Sequence, residues 1–364
     1  MIRIAEPLIG PDEEQAVLDV LRSGRLAQGP RVAEFEEAFA AYLGATHAIA
    51  VSSGTSALIV ALTAHGIGEG DEVLVPTFTY AATANAVLLV GARPVLVDIG
   101  ADTFAIDVDL AEAAVTPQTR AIIPVHLFGH PGNLTGIHAL AERHGMAVVE
   151  DACQALGAQW RGRKIGASGT ACFSFYATKA IAAGEGGMIV TDDRNVAGLA
   201  RKLRNQGEGE RYVTELLSAN HRMTEIAAAL GLSQLGRLDG GSEKRRTNAA
   251  WLSERLAGVT TPSELPNTHH VYQQYTVRVN AGRRDGLRTA LADNDIEAMA
   301  YYARSLHQQP LYQERAIGGS FPVAEAASRE VLSLPVHPGL SASDLERIAT
   351  TVNSVTSLTE SRSG

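Results

Sequence analysis

His47-Ala-Ile-Ala-Val51-Ser-Ser-Gly-Thr-Ser-Ala-Leu58 sets an apolar strand directly before a turn of small residues that opens a helix. A strand–turn–helix of this kind is an anion site, because backbone N–H groups and the helix dipole point at whatever lies in front of the turn. Ser53-Gly-Thr55 is also an ordinary N-cap sequence, so the turn alone leaves a structural reading open. No GxGxxG or Walker fingerprint accompanies it, and neither a dinucleotide nor a nucleoside triphosphate is implied.

Outward from this unit the same alternation repeats. Glu72–Val75, Pro94–Val97, Ala121–Val125 and Met146–Val149 read as strands, the last running into Glu150-Asp151. Thr77–Val90, Asp109–Ala114 and Leu134–His144 supply the intervening helices, and Gly187–Thr191 and Asn195–Arg204 add a further strand and helix. Towards the N-terminus, Gly10–Ser23 carries acids in its first turn and apolar residues at helical spacing, and Arg31–Leu43 reads as a second helix. The strands are apolar runs rather than alternating ones, as expected when helices cover both faces. The order predicts an α/β fold, three-layered around a mostly parallel sheet. Ligands then bind at the carboxyl ends of strands, on the loops after Val51, Val75, Val125, Val149 and Tyr176.

Further on, Gly207–Tyr212 reads as a polar loop, and Asn220-His-Arg-Met223 precedes a helix from Thr224 to Leu238. A second region follows, with a polar helix (Glu243–Leu256), a strand (Val271–Val279) and helices at Arg283–Asn294 and Ser341–Leu358. The expected division is a large domain over residues 1–240 and a smaller C-terminal α+β domain over 241–364, with a frayed polar tail at Thr359–Gly364.

At 364 residues the chain is long enough for two domains. A net charge of -9 without any basic run argues against nucleic acid as the main partner. The N-terminus lacks a signal-peptide pattern, no apolar stretch is long enough to span a membrane, and a cytoplasmic protein is expected. Cys153 and Cys172 are too few and too far apart for a disulfide framework or zinc site, and read as reduced thiols; no metal is expected.

Only four of the 31 basic residues are lysines. Lys164, Lys202 and Lys244 sit among other charges and read as solvated surface. Lys179 is the only charged residue from Ile165 to Gly184, after an aromatic run and before a glycine turn. An ammonium there is costly unless paired, and desolvation lowers its pKa. A lysine so tuned is a nucleophile toward carbonyls; a snorkelling strand-end lysine is the plainer alternative. An anion turn, a strand-end carboxylate at Asp151 and this lysine together match what pyridoxal phosphate needs: a helix N-terminus for the phosphate, an acid for the pyridine nitrogen and an amine for the aldehyde.

The chain also resembles the DegT-like sugar aminotransferases, fold-type I enzymes that use pyridoxal phosphate. The resemblance covers nearly all of it. It rests on Ser53–Leu58, Pro76-Thr-Phe-Thr-Tyr-Ala-Ala-Thr83, Pro124-Val-His-Leu-Phe-Gly129, Glu150-Asp-Ala-Cys-Gln-Ala155, Phe173-Ser-Phe-Tyr-Ala-Thr-Lys179 with Gly184-Glu-Gly-Gly187, and Asn220–Met223. Echoes follow at His270–Tyr275, Leu306–Tyr312 and Leu332–Pro335. The resemblance implies that Lys179 is the catalytic lysine that carries the cofactor and that Asp151 faces the pyridine nitrogen. It places Gln154 near the ring hydroxyl, Tyr80 stacked on the ring, and Gly54, Thr55 and Ser174 at the phosphate. It has Asn220 reach the phosphate of a partner subunit, which implies a homodimer with shared sites. Structural alternatives are a helix cap for Asp151, core packing for Tyr80, a turn hydroxyl for Ser174 and an N-cap for Asn220. Where the family has glycine two residues before Asn220, this chain has Ser218. His126 reads as structural, and Arg304 and His307 as sugar or diphosphate contacts or as solvated surface.

The implied activity moves an amino group from an amino acid, L-glutamate by resemblance, to a keto sugar on a nucleoside diphosphate, with pyridoxamine phosphate between the two half-reactions. Rival readings are the same chemistry on a cyclitol ketone, and a non-catalytic cofactor-binding regulator, which an intact Lys179–Asp151 pair disfavours. A dehydrating branch of the family typically has histidine at the lysine position.

Overall fold

A computed structural model describes residues 1–280 and 282–360. Its centre is a seven-stranded sheet: β1 (His47–Val51), β2 (Glu72–Pro76), β3 (Arg93–Val97), β4 (Thr119–Ile122), β5 (Ala147–Asp151), β6 (Thr170–Ser174) and β7 (Gly187–Thr191). The order is β1-β7-β6-β5-β4-β2-β3. Neighbours from β6 through β3 run parallel, and β7 is antiparallel to both β6 and β1. Helices pack on both faces, so β1, β2, β6 and β7 are almost wholly buried, and the predicted α/β three-layer architecture holds.

Helix starts follow local chemistry. Pro11 and Pro30 occupy first-turn positions, where a missing N–H costs nothing. Some caps come from afar: buried Glu225 accepts the backbone N–H groups of Arg31 (3.0 Å) and Val32 (2.9 Å), closing the start of the Pro30–Leu43 helix. Asp98, just past β3, does the same for Val323 (3.0 Å) and Ala324 (2.9 Å) in the helix Pro322–Glu330. Phe35, Phe39, Phe173 and Phe175 meet edge-on or tilted at 5.1–5.8 Å and join the helix Pro30–Leu43 to the end of β6.

Beyond the large sheet, the helix Leu238–Arg255, a two-stranded antiparallel sheet (Tyr275–Arg278 with Val331–Leu334) and the helices Arg284–Asp293 and Ala342–Glu360 build a separate apolar cluster, with Ile2 from the N-terminus. Leu306, Tyr312, Phe321 and Ala327 pack instead on the core of the large sheet.

Several boundaries differ from expectation. The helix expected over 224–238 ends at Leu235, and the one expected over 243–256 begins earlier, as Leu238–Arg255, running through Gly240-Gly241 where the second region was expected to begin. The loop at 207–212 forms a short hairpin, Glu208–Glu210 with Val213–Thr214. The last helix continues through Glu360, and 361–364 of the expected polar tail lie outside the described residues. Lys164 is not merely solvated: its amine sits 3.5 Å from the centre of the Tyr42 ring and donates to the Tyr42 carbonyl at 2.7 Å. Among the described residues, no helix is long and apolar enough to cross a membrane.

Candidate active site

The carboxyl ends of β1, β5 and β6 bring the phosphate-turn, acid and lysine candidates together. Ser53 caps the helix Gly54–Ala64, its hydroxyl accepting the Ser56 N–H at 3.0 Å. Gly54 is required sterically: a Cβ there would stand 2.8 Å from both Cys153 Sγ and Ser174 Cβ. Gly187 is tighter still, since its Cβ would fall 2.3 Å from the Ser53 carbonyl oxygen. The small residues of the turn thus let three strand ends close on one another.

Asp151, the last residue of β5, is 6% exposed. Its Oδ2 accepts the Thr83 hydroxyl at 2.8 Å, and Thr83 is itself 3.1 Å from the Thr79 hydroxyl. Its Oδ1 accepts the Cys153 N–H at 3.2 Å. Behind it, the Gly132 N–H donates to His126 Nδ1 at 3.0 Å, which leaves Nε2 to donate to Glu150 at 2.9 Å. His126 is fully buried, consistent with the structural reading.

Lys179 lies in the loop between β6 and β7. Turn bonds from Lys179 N to the Tyr176 carbonyl (2.8 Å) and from Ala177 N to the Gly184 carbonyl (3.1 Å) shape it. Two distant glutamines fasten it: Gln273 donates to the Thr178 carbonyl at 2.8 Å, and the Gln234 amide accepts from Ala182 N at 2.8 Å and donates to its carbonyl at 3.1 Å. Burial pushes the Lys179 ammonium below its ordinary value, against the opposing pull of Cys153 and Asp151. The same burial, with the Asp151 charge, pushes the Cys153 thiol well up.

Gln154 accepts the Phe128 N–H at 2.7 Å and donates to the Tyr302 hydroxyl at 3.2 Å. Tyr80 is 62% exposed, its ring centre 6.0 Å from that of Tyr302. Ser174 accepts the Tyr176 N–H at 3.4 Å, so the turn role is present whatever else its hydroxyl does. Asn220 is exposed and folds back on Arg222 N at 3.1 Å, while the next helix is capped by Thr224 instead. The Asn220–Arg222 segment runs beside the end of β1, where Ser52 N donates to the His221 carbonyl at 2.8 Å.

Sequence reasoning missed Thr83, Gln234, Gln273 and Tyr302. Thr83 and Gln273 fell inside quoted motifs without a role. His307 is occupied structurally: it bonds Thr77 at 2.9 Å, lies 3.4 Å from Glu325 and packs on Phe321.

A partly buried lysine of reduced basicity, a buried carboxylate fixed by two donors and a helix start with room for only a hydrogen at Gly54 are the donor set that pyridoxal phosphate requires, so the residues present fit that group.

Comparison with known proteins points the same way. The model of the DegT/DnrJ/EryC1/StrS aminotransferase family matches residues 7–353. A pleiotropic regulatory protein of Geobacillus stearothermophilus is 42% identical over 91% of this chain and 90% of its own length. A UDP-N-acetyl-3-dehydro-alpha-D-glucosamine 3-aminotransferase of Acidithiobacillus ferrooxidans is 44% identical over 85% of this chain and 84% of its own. The crystal structure of Streptomyces venezuelae DesV, in complex with a ketimine intermediate, superposes with a TM-score of 0.92 at 42% identity, covering 94% of each chain.

Proposed function

The chain belongs to the DegT/DnrJ/EryC1/StrS aminotransferase family, and we propose that its Lys179–Asp151 pair holds pyridoxal phosphate while an amino group passes from L-glutamate to a keto sugar carried on a nucleoside diphosphate. It is a pyridoxal-phosphate-dependent aminotransferase of the sugar class. The observation that carries the residue assignment is a partly buried amine of lowered basicity beside a buried, hydrogen-bonded carboxylate.

When bound, the cofactor supplies an electron sink next to the carbon that bears the amino group. The chain supplies the rest. The turn at Gly54 and Thr55, with the Ser174 hydroxyl, takes the phosphate at a helix N-terminus. Asp151, fixed by Thr83 and the Cys153 N–H, keeps the ring nitrogen protonated. Tyr80 covers the ring face, and Gln154, braced by Phe128 and Tyr302, lies toward the ring hydroxyl. Lys179 would hold the cofactor's aldehyde and, once free, would take a proton on its Nζ as general base and return it as general acid. Its lowered basicity favours the free amine that the general-base task needs.

The same proposal includes a homodimer whose Asn220 reaches the partner's phosphate site, a cytoplasmic location, a division of the chain at 240/241, and pyridoxamine phosphate as the resting product of the first half-reaction. The relative with a regulatory name favours a second reading, a cofactor-binding regulator. One experiment separates the two. The visible spectrum of wild type and Lys179→Ala is recorded with pyridoxal phosphate, before and after L-glutamate. A lysine-dependent band that glutamate converts supports the aminotransferase; a lysine-dependent band that no amino donor converts supports the regulator.

A further inference from the structure

Five of the nine tyrosines have their hydroxyl bonded within the chain. Tyr42 donates to Asp239 at 2.7 Å, Tyr312 donates to Asn85 at 2.8 Å, and Tyr302 accepts from Gln154 at 3.2 Å. Among the described residues, the hydroxyls of Tyr80, Tyr176, Tyr272 and Tyr301 have no such partner. Tyr272 stacks on His270, ring centres 3.9 Å apart. The other three gather at the end of the sheet that carries Lys179 and Asp151.

Tyr80 immediately precedes the helix Ala81–Leu89, whose Thr83 bonds Asp151. Tyr176 lies between Ser174 and Lys179, and its carbonyl takes the Lys179 N–H at 2.8 Å. Tyr301 adjoins Tyr302, which holds Gln154. The rings follow one another: Tyr80 to Tyr302 at 6.0 Å, and Tyr302 to Tyr301 at 5.9 Å. Tyr301 in turn is near enough to Tyr176 for an ionised phenol at one to act on the other. An aromatic arc thus borders the site, with Tyr176 47% exposed and Tyr301 half-buried. Tyr80 has a role at the ring face in the reading above and Tyr302 braces Gln154, which leaves Tyr176 and Tyr301 without one.

A tyrosine offers a flat apolar face and a neutral hydroxyl at its rim. Two of them suit a ring that has C–H groups on its faces and hydroxyls around its edge. They suit a carboxylate poorly, since its strong partners are cations. Burial pushes the Tyr301 hydroxyl up, so it stays neutral and able to donate. We propose that Tyr176 and Tyr301 form the subsite for the polyhydroxylated ring of the amino acceptor; the assignment rests on the aminotransferase reading above. A sugar carried on a nucleoside diphosphate and a free cyclitol share that ring chemistry, and the test separates them.

Wild type, Tyr176→Phe and Tyr301→Phe, each loaded with pyridoxal phosphate, are titrated calorimetrically with UDP-glucose, GDP-glucose, dTDP-glucose and myo-inositol. The bare nucleoside diphosphates serve as controls. Loss of either hydroxyl weakens the ring compound that wild type binds by about two- to tenfold, as for one neutral hydrogen bond, and leaves the bare nucleoside diphosphate unchanged. The L-glutamate needed to half-convert the lysine-dependent band moves by less than about twofold, the spread below the loss of one such bond. Phenylalanine keeps the aromatic face, and each variant tests the proposal if the other does not fold. Hydroxyl-dependent binding of a sugar nucleotide supports a carried sugar, and of myo-inositol a cyclitol. Ring affinity unchanged in one variant removes that residue from the subsite, and unchanged in both overturns the proposal. An equal loss for the bare nucleoside diphosphate, or a glutamate shift as large as that of the ring, overturns it too, as does a wild type that binds no ring compound. If the aminotransferase reading fails, glutamate converts no wild-type band, and ring binding that needs the two hydroxyls still supports the subsite.

Discussion

Replacing Lys179 by methionine in cofactor-free protein removes a partly buried ammonium with little change in volume. The folded Lys179 value lies below 10.5 because burial outweighs the attraction of Cys153 and Asp151, whereas an unfolded lysine keeps the ordinary value. Between the folded value and 10.5 the unfolded chain holds a proton that the folded chain has released. Wild-type stability therefore gains from this group as pH rises through that window, by at most about 1.4 kcal/mol per pH unit for one proton. Below the folded value the full penalty applies and the contribution is flat. Cys153 and Cys172 act in the opposite direction: burial pushes both thiols up, so their unfolded forms ionise first and stability falls above the ordinary thiol value. Both proteins share the Cys172 loss, and because Lys179 also acts on Cys153, both carry Cys153→Ala so that the difference isolates the lysine. Guanidinium unfolding from about pH 8 to about pH 10 gives the difference directly. The expected result is that the protein with Lys179 gains on its Lys179→Met counterpart as the solution becomes alkaline. A difference that stays level across the range, or moves the other way, refutes the claim that burial governs this amine.

Asp151→Asn keeps the shape but not the charge; the lysine-dependent band persists while donor conversion in stopped flow slows by roughly a hundredfold or more, near 3 kcal/mol. Thr83→Val deletes the 2.8 Å donation to Asp151 and lowers chemical-denaturation stability by about 1.5–3 kcal/mol, which Thr83→Ser restores. Gly54→Ala forces a Cβ against Cys153 and Ser174 and costs about 1–3 kcal/mol, read as a lower melting temperature together with weaker pyridoxal phosphate binding by fluorescence titration. Glu225→Gln leaves one acceptor oxygen for two backbone N–H groups and costs about 1–3 kcal/mol of unfolding free energy, with no effect on the cofactor band.

The parts legible in the sequence were those written locally. Apolar runs of four or five residues between helical stretches gave the parallel sheet, and its strand ends gave the loops that carry Gly54, Asp151 and Lys179. What could not be read were bonds that close over long separations. Thr83 meets Asp151 across 68 residues, Gln273 reaches Thr178 across 95, and Glu225 caps a helix nearly two hundred residues earlier. A hydroxyl or amide shows no local sign of which distant carbonyl or carboxylate it will meet. Arg245, buried within the charged run Glu243–Arg246, misleads for a different reason. One residue in a charged run can face inward while its neighbours face water, and composition averages over the helix faces. The pair Gly240-Gly241 misleads as well, because a new region is expected to begin there and a helix runs through it.

The cofactor aldehyde would meet two nucleophiles here, since the Cys153 thiol stands beside the turn at Gly54 and close enough to Lys179 for their charges to interact. In water, both would compete for an electrophilic carbon. Burial separates them by the sign of the charge it suppresses. It disfavours ammonium, which lowers the basicity of the lysine, and it disfavours thiolate, which pushes the cysteine thiol up. One environment thus shifts the two groups in opposite senses. The preference of the site for the amine over the sulfur therefore follows from these opposite shifts, and a substitution that opened Cys153 further to water would weaken it.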